Sequence, residues 1–490
     1  MSAHPSIDLF VRSFRLSLRR SLILCALLPV MVGVGLCPPA SAAPGGADSA
    51  GRAVSYWGPL PPPGDSAAVA RPRNNRMPLW EGAVVYPWRV VTYPIKLTTR
   101  GLGAGIVALD EGGAIKALAR LLTPPPTLVG FTPAASAGGS AGFGLGGTLY
   151  DKHFLGRSGE AQLRYEGTFS GAHKTSLGYR LGGGTRRQLD FVLGYRYRPY
   201  ARFFGIGPNS RPTDQTLFAQ QIGWVGAAYR RGLGTHLTGE LELLGSQILA
   251  GGTDFDLSDG TRYLPDVFGG AHLPPGYRKN SRGASLAFSL AHDNTPETGR
   301  PERGGLRRAT ASWFESFGDL DADFWTFRAE AQQFLPLWFS QRALALRGFV
   351  SYIDPTGSDP VPFQRYNYND TPDNLRGYRE YRFRDRGLAI LSAEYRWPIW
   401  ADRTADGPGM DMYLLTDVGQ VFGNFHQITL PNMTVSYGGG LRVIGGSHGL
   451  ALRLELAKSR EETQLRFRAD QVFQFMKESL FYGRNPIPSR

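Results

Sequence analysis

The chain has 490 residues, a formal net charge of +13 and only two cysteines, Cys25 and Cys37. Both cysteines lie in a predicted export signal, so disulfides and thiolate metal sites are excluded from the exported part. Basic proteins often bind nucleic acid, but export argues against that class and favours a protein that faces anionic lipid headgroups or has an arginine-lined lumen. The 63 glycines and 12% aromatic residues suit many short strands, turns and aromatic girdles at a membrane surface.

The first 42 residues predict a secretory signal peptide. Four arginines precede an apolar run from Leu22 to Leu36, and the small residues Ala40-Ser41-Ala42 then offer a cleavage site. A transmembrane anchor is the alternative interpretation, but the run is short and rich in glycine for a spanning helix. We therefore predict a signal peptide over residues 1–42 and export of the remainder.

Two further segments precede the predicted barrel. Residues 43–77 are rich in Gly, Pro, Ala and Ser, which predicts a disordered periplasmic linker. Residues 78–126 begin as an aromatic segment and continue into a short helix predicted over 104–122, which a run of three prolines ends. This helix could lie on the inner leaflet of the membrane or near the mouth of the barrel.

From residue 127 onward, apolar and polar residues alternate with a period of two. Residues 188–198 are typical, with apolar side chains on one parity and polar ones, such as Asp190 and Arg196, on the other. A soluble sandwich also alternates, but charges of both signs on one face and aromatic residues at strand ends favour a barrel with a polar lumen. The sequence thus predicts an all-β protein, a 16-stranded antiparallel transmembrane β-barrel with a short N-terminal periplasmic segment containing one helix.

The predicted barrel spans residues 127–475, and residues 476–490 form a C-terminal tail. An even number of strands suits an antiparallel barrel with both termini in the periplasm. The long connections 251–282 and 353–386 would then be extracellular. The strands are predicted to begin near Leu128, Ala141, Glu160, His173, Arg187, Leu217, Thr235, Gly283, Leu306, Asp323, Arg342, Gly387, Met410, Met433, Gly449 and Thr463.

Three motifs follow one another at hairpin spacing in the second half of the chain. Residues 375–379 read Leu-Arg-Gly-Tyr-Arg, the next strand carries Glu394-x-Arg396 followed by a proline, and the strand after it carries Asp417-x-Gly419. This succession resembles the BamA/TamA outer-membrane assembly factor superfamily, also called the bacterial surface antigen family. Its members carry an Arg-Gly-aromatic motif in the sixth extracellular loop, and the resemblance covers roughly residues 78–490.

The resemblance implies that this loop folds back into the lumen, where its arginine meets acidic groups of the inner wall. The parity of the strands independently points Glu394 and Arg396 inward, with Asp417 on the neighbouring strand. A buried guanidinium needs carboxylate partners, and arginine can bind them bidentately whereas lysine cannot. We expect Arg376 to pair with Asp417, with Glu394 nearby. The loop latch is Arg376, Gly377 and Tyr378, and the inner-wall partners are Glu394, Arg396, Asp417 and Gly419.

The chain also departs from the family pattern. Family members usually carry repeated periplasmic POTRA domains of about 75 residues, whereas only some 80 residues here lie between the predicted cleavage site and the barrel. We therefore predict a short member that lacks POTRA domains. Family barrels often end on an aromatic residue, and here Phe473 or Phe475 is expected to close the last strand.

The resemblance implies a protein of the bacterial outer membrane that assists insertion or translocation of proteins or lipids. Its expected partners are outer-membrane lipids and lipopolysaccharide, with client outer-membrane proteins or lipids, and no nucleic acid. We predict no enzyme activity, no catalytic or metal-binding residues and no cofactor. Two alternatives stay open, a passive pore or structural barrel and an outer-membrane hydrolase.

Overall fold

The computed structural model of the chain describes most of the predicted barrel. The described residues are 54–55, 129–137, 143–156, 159–183, 186–253, 262–269, 272–296, 300–318, 320–337, 342–369, 374–401, 409–444 and 451–469. The predicted signal peptide, the helix over 104–122, Phe473, Phe475 and the C-terminal tail lie outside these residues. The same holds for the predicted linker apart from Val54–Ser55, which pairs antiparallel with Trp400 and Ala401.

Sixteen strands, which we number β1 to β16, form one antiparallel sheet within the described residues. Each begins within three residues of its predicted start, so the predicted all-β class and the sixteen strands are confirmed. In chain order they are Val129–Ala137, Phe143–Asp151, Gly159–Thr168, His173–Leu181, Arg187–Phe203, Thr216–Gly232, Leu237–Gly251, Asn280–Asp293, Gly304–Ser316, Phe324–Pro336, Ala343–Pro355, Gly387–Ala401, Gly409–Phe422, Thr434–Ile444, Ala451–Ser459 and Thr463–Ala469.

Each strand pairs with the next one along the chain, as in a series of hairpins. The pairing is antiparallel throughout, and the strand order also places β16 beside β1. Two strands contain an irregularity in register, β5 between Arg198 and Ala201 and β12 between Pro398 and Trp400. A bulge of this kind bends the strand locally, and Pro398 lacks the N–H that a regular ladder would use.

The sheet buries its polar face and exposes its apolar face. On β7, for example, Leu241 and Leu243 are 50% and 57% exposed, whereas Glu240 and Glu242 are 7% and 6% exposed. A soluble sandwich would bury the apolar parity between two sheets. The opposite arrangement is typical of a barrel whose outer face meets lipid and whose inner face is polar.

Two long connections lie at one end of the sheet, which we call the loop end. The β7–β8 connection contains the short helix α1, Leu264–Phe268, and the β11–β12 connection contains a two-residue hairpin in which Asn367–Tyr368 pairs with Arg384–Asp385. Both connections fold over the inner face. The apolar residues that join them to the wall are Ala201, Phe203, Phe218, Ala250, Leu264, Tyr277 and Phe363. The loop end therefore has a packed core inside the sheet.

We call the opposite end, which carries the β8–β9 and β12–β13 connections, the turn end. Its connections are shorter than the long connections of the loop end, as the element bounds show. Within the described residues, no helix is both long and apolar enough to cross a membrane.

Candidate functional site

The candidate site lies on the inner face of strands β12 to β15. The register places Ser392, Asp417 and Ser436 side by side on β12, β13 and β14. Glu394 follows two residues further along β12, with its side chain on the same face, and Glu455 on β15 points inward as well. The alternation of side chains along the strands thus places three carboxylates close together on the inner face of β12, β13 and β15. They are almost wholly buried, since Asp417, Glu394 and Glu455 are 0%, 2% and 3% exposed.

Arg376 of the β11–β12 connection fills this acidic patch. Its Nε and Nη2 donate to the two oxygens of Asp417 at 2.9 and 2.7 Å, which is the bidentate arrangement. Its backbone N–H donates to Asp417 Oδ2 at 3.0 Å. Nη1 contacts Glu394 Oε1 and lies 3.5 Å from Glu455 Oε2. The Arg376 side chain is 0% exposed, so one guanidinium and three carboxylates share a site without solvent.

The carboxylates have further partners on the wall. Arg396 donates to Glu394 Oε2 through Nε at 2.9 Å and Nη2 at 2.7 Å. The Tyr413 hydroxyl donates to Glu455 Oε2 at 2.9 Å, and the Ser436 hydroxyl donates to Asp417 Oδ2 at 3.3 Å. A buried charge is tolerated only when its partners are complete. The wall supplies the carboxylates and some of their partners, and Arg376 of the loop completes this charge network.

Gly377 and Gly419 let the loop approach the wall closely. A Cβ on Gly377 would lie 2.7 Å from the carbonyl carbon of Lys458 and 2.9 Å from the Cβ of Ser436. A Cβ on Gly419 would lie 2.9 Å from the carbonyl oxygen of Ala389. Distances below 3.0 Å to backbone atoms require the main chain to shift. Gly377 is therefore explained by the space between the loop and the wall, whereas Gly419 is confined by the neighbouring strand and by Leu375 Cδ2 of the loop, 3.2 Å from its Cβ position.

Tyr378 anchors the loop by apolar packing. It is 1% exposed, and its ring meets the ring of Phe383 edge-on at 5.1 Å. A tight turn precedes it, in which Leu375 has a φ of 54° and the N–H of Tyr378 donates to the carbonyl of Leu375 at 2.9 Å. The cluster that receives these side chains is Phe349, Leu375, Tyr378, Phe383, Leu388, Ile390 and Val421. Apolar packing thus fixes the residues of the loop on both sides of Arg376.

The same connection has a second anchor, Arg365, on strands β7 to β9. Its Nε donates to Ser281 Oγ at 2.6 Å, its Nη1 to Ser246 Oγ at 3.1 Å and its Nη2 to the carbonyl of Ser281 at 3.0 Å. The guanidinium also lies over the ring of Phe314 at 3.9 Å. Burial lowers the pKa of Arg365 to about 9, which leaves it charged at neutral pH. The connection is therefore fixed at two separate parts of the inner wall.

Further arginines tie the connection to its neighbours at the loop end. Arg382 donates to the carbonyl of Ser210 at 2.6 Å and binds Glu461 through Nε at 2.8 Å. Arg379 pairs with Glu462 at 2.8 Å, but its side chain is 47% exposed. The β5–β6 and β15–β16 connections thus join the β11–β12 connection in one folded cap.

The structure brings most of the predicted site residues together. Arg376, Glu394 and Asp417 meet directly, Arg396 binds Glu394, and Gly377, Tyr378 and Gly419 line the same contact. Phe473 and Phe475 lie outside the described residues. Sequence reasoning missed Glu455 and Arg365. The alternation around residues 450–456 could have indicated Glu455, since it shares its parity with Arg453. No periodic signal marks Arg365, because it lies in a connection and its partners are serines.

Within the described part of the chain, no group of three or more His, Cys, Asp or Glu side chains could hold a metal ion. The three carboxylates of the candidate site are matched by arginines. The interactions of the site are therefore ion pairs between arginines and carboxylates.

Comparison with known proteins places this site in a family. Residues 258–476 match the model of the Omp85 superfamily domain. This part of the chain is similar to an Omp85 superfamily domain. The predicted resemblance to the BamA/TamA superfamily is thereby confirmed. The Omp85 domain contains β8 to β16 and each of Arg376, Glu394, Arg396 and Asp417, whereas β1 to β7 precede it. No curated protein matches the chain.

Solved structures resemble the chain beyond the Omp85 domain. BamA from Haemophilus ducreyi lacking POTRA domains 1–3 is 12% identical, with 69% of each chain covered and a TM-score of 0.51. CdiB from Escherichia coli is 11% identical, with 71% of this chain and 62% of that chain covered and a TM-score of 0.46. CdiB from Acinetobacter baumannii is 10% identical, with 69% and 58% covered and a TM-score of 0.42. The likeness to BamA indicates a common fold.

Proposed function

We propose that this chain is a barrel of the bacterial outer membrane, closed between β16 and β1, that assists insertion or translocation of proteins or lipids. It acts by physical means, through local thinning of the bilayer and sideways opening of a weak seam, and no covalent chemistry is involved. Its partners are outer-membrane lipids and lipopolysaccharide, together with client proteins or lipids. Export by the predicted signal peptide delivers it to this membrane.

One observation carries the proposal, namely that the loop bearing Arg376 is docked on the inner wall of an Omp85 superfamily domain. A passive pore does not require a docked loop, whereas Arg376, Gly377 and Tyr378 of this connection are buried against the wall by complementary charge, close glycine contact and apolar packing. The Arg376 site supports a barrel whose interior is held in one arrangement by its loop. Such a loop is suited to a protein that works on the membrane rather than one that conducts continuously.

The direct test is an insertion assay with purified protein in liposomes of bacterial lipid. An unfolded client barrel is added, and its folding is followed by the gel shift between folded and heat-unfolded forms. We expect the wild-type protein to accelerate folding and Arg376→Lys to lose much of the acceleration. Arg379→Lys is the matched control, because Arg379 lies in the same loop but its side chain is 47% exposed. Empty liposomes that fold the client equally fast would refute the proposal.

A cellular test separates protein clients from lipid clients. The protein is depleted, and outer-membrane proteins and lipids are then measured. Loss of particular proteins indicates protein clients, and a changed lipid or lipopolysaccharide content indicates lipid clients. No change in either inventory argues for the passive barrel.

One observation favours the passive pore as a second candidate. On β3, Glu166 shares the inward parity of Gln162 and Arg164, yet its side chain is exposed. Part of the inner face is thus accessible to water. Single-channel recording discriminates between the candidates, since a large and steady conductance indicates a pore, whereas a small and flickering one indicates a plugged barrel.

A further inference from the structure

At the turn end, the β8–β9 connection carries Arg300, whose side chain is buried on the inner face of the sheet. The Nε of Arg300 lies 2.8 Å from Asp411 Oδ1, and the two side chains are 7% and 3% exposed. The other carboxylate oxygen of Asp411 accepts a hydrogen bond from Arg442 Nη2 at 2.6 Å. Asp411 therefore joins an arginine of the wall to an arginine of a connection.

The two partners belong to distant strands. Asp411 lies near the start of β13, and Arg300 precedes β9 by four residues. Four strand spacings separate β9 from β13, or about 19 Å along the wall. Four extended residues reach at most about 14 Å, and the arginine side chain must supply the rest. Residues 300–303 therefore extend toward β13, where Asp411 is buried.

Gly304 makes this departure from the wall possible. Its φ is +81°, and a Cβ there would lie 2.4 Å from the carbonyl oxygen of Asn294. The turn is held by two hydrogen bonds, from the N–H of Gly305 to Asn294 Oδ1 at 2.7 Å and from the N–H of Asn294 to the carbonyl of Gly305 at 3.1 Å. Only glycine fits this position without strain. The point at which residues 300–303 leave the wall is thus rigidly defined.

We propose that residues 300–303 form a strap across the turn-end mouth of the barrel, held shut by the ion pair between Arg300 and Asp411. The strap is separate from the latch around Arg376, because it comes from the other end of the sheet and binds a different carboxylate. The lumen is then restricted from both ends. In the proposed orientation the strap faces the periplasm, and a substrate entering from that side must displace it.

Bilayer recording with the purified full-length protein tests the strap without any client. Arg300→Ala removes the ion pair, and we expect its mean conductance to rise several-fold over the wild type. Arg303→Ala is the matched control, because Arg303 lies in the same strap but its side chain is exposed. We expect it to leave the conductance unchanged. A folded Arg300→Ala protein with the conductance of Arg303→Ala would overturn the strap.

A second experiment holds the strap in place and covers the case in which Arg300→Ala does not fold. Cysteines replace Arg300 and Asp411 in a chain that also carries Cys25→Ser and Cys37→Ser. A short bifunctional thiosulfonate then links them, since a direct disulfide requires closer backbones. We expect low conductance while linked and a several-fold rise on reduction. Equal conductance before and after reduction would refute the proposal, whether or not the protein assists insertion.

Discussion

Arg376 is held by geometry as much as by charge. Its planar guanidinium donates to both oxygens of Asp417 and also contacts Glu394, whereas a lysine ammonium can make only some of these contacts. We expect Arg376→Lys to lower the free energy of unfolding by about 1–3 kcal/mol, since charged hydrogen bonds are lost in a dry site. Arg379→Lys should cost less than about 1 kcal/mol, because exposed pairs contribute little. Urea unfolding followed by tryptophan fluorescence measures both, and equal losses would contradict this account.

A substitution at Gly377 tests whether close contact between the loop and the wall is required. Gly377→Ala places a methyl group 2.7 Å from backbone atoms of Lys458, so we expect the tip of the loop to be displaced and residues 374–386 to become sensitive to protease. Gly223→Ala is the control, because nothing lies within 4 Å of a Cβ there. Limited proteolysis and mass spectrometry give the cleavage sites. Protection equal to that of the wild type would mean that the loop tip is not packed so closely.

At the scale of elements, the β11–β12 connection has two anchors of different chemistry. Arg376→Met leaves the buried Asp417 without its arginine and removes one partner each from Glu394 and Glu455, which should cost about 3–5 kcal/mol. Arg365→Met leaves only two serine hydroxyls and a carbonyl, which should cost about 1–3 kcal/mol. The two substitutions have equal volume change and lie in one connection. Unfolding midpoints in urea that reverse this order would show that the carboxylates are paired without the loop.

The strands could be predicted from the sequence far better than the connections. Alternation with a period of two sets the face of strand residues outside the register shifts of β5 and β12, so Glu394 and Asp417 could be placed on the inner wall before the structure was known. The connections follow no period. Arg365 binds serines and a phenylalanine ring, and Arg300 contacts Asp411 four strands away, so neither contact has a signature in the order of residues.

At the scale of the whole molecule, the inner face is filled unevenly. Ser436 on β14 is 0% exposed because the loop covers it, whereas Glu166 on β3 is exposed although both side chains point inward. We therefore expect Glu166→Cys to react quickly with a charged, membrane-impermeant thiol reagent and Ser436→Cys to react only after unfolding. Both variants carry Cys25→Ser and Cys37→Ser, and labelling is measured by mass shift over time. If Arg376→Lys releases the loop, it should accelerate labelling at Ser436→Cys while the rate at Glu166→Cys stays unchanged. Equal rates at the two positions in the folded protein would show that the loop does not divide the lumen in this way.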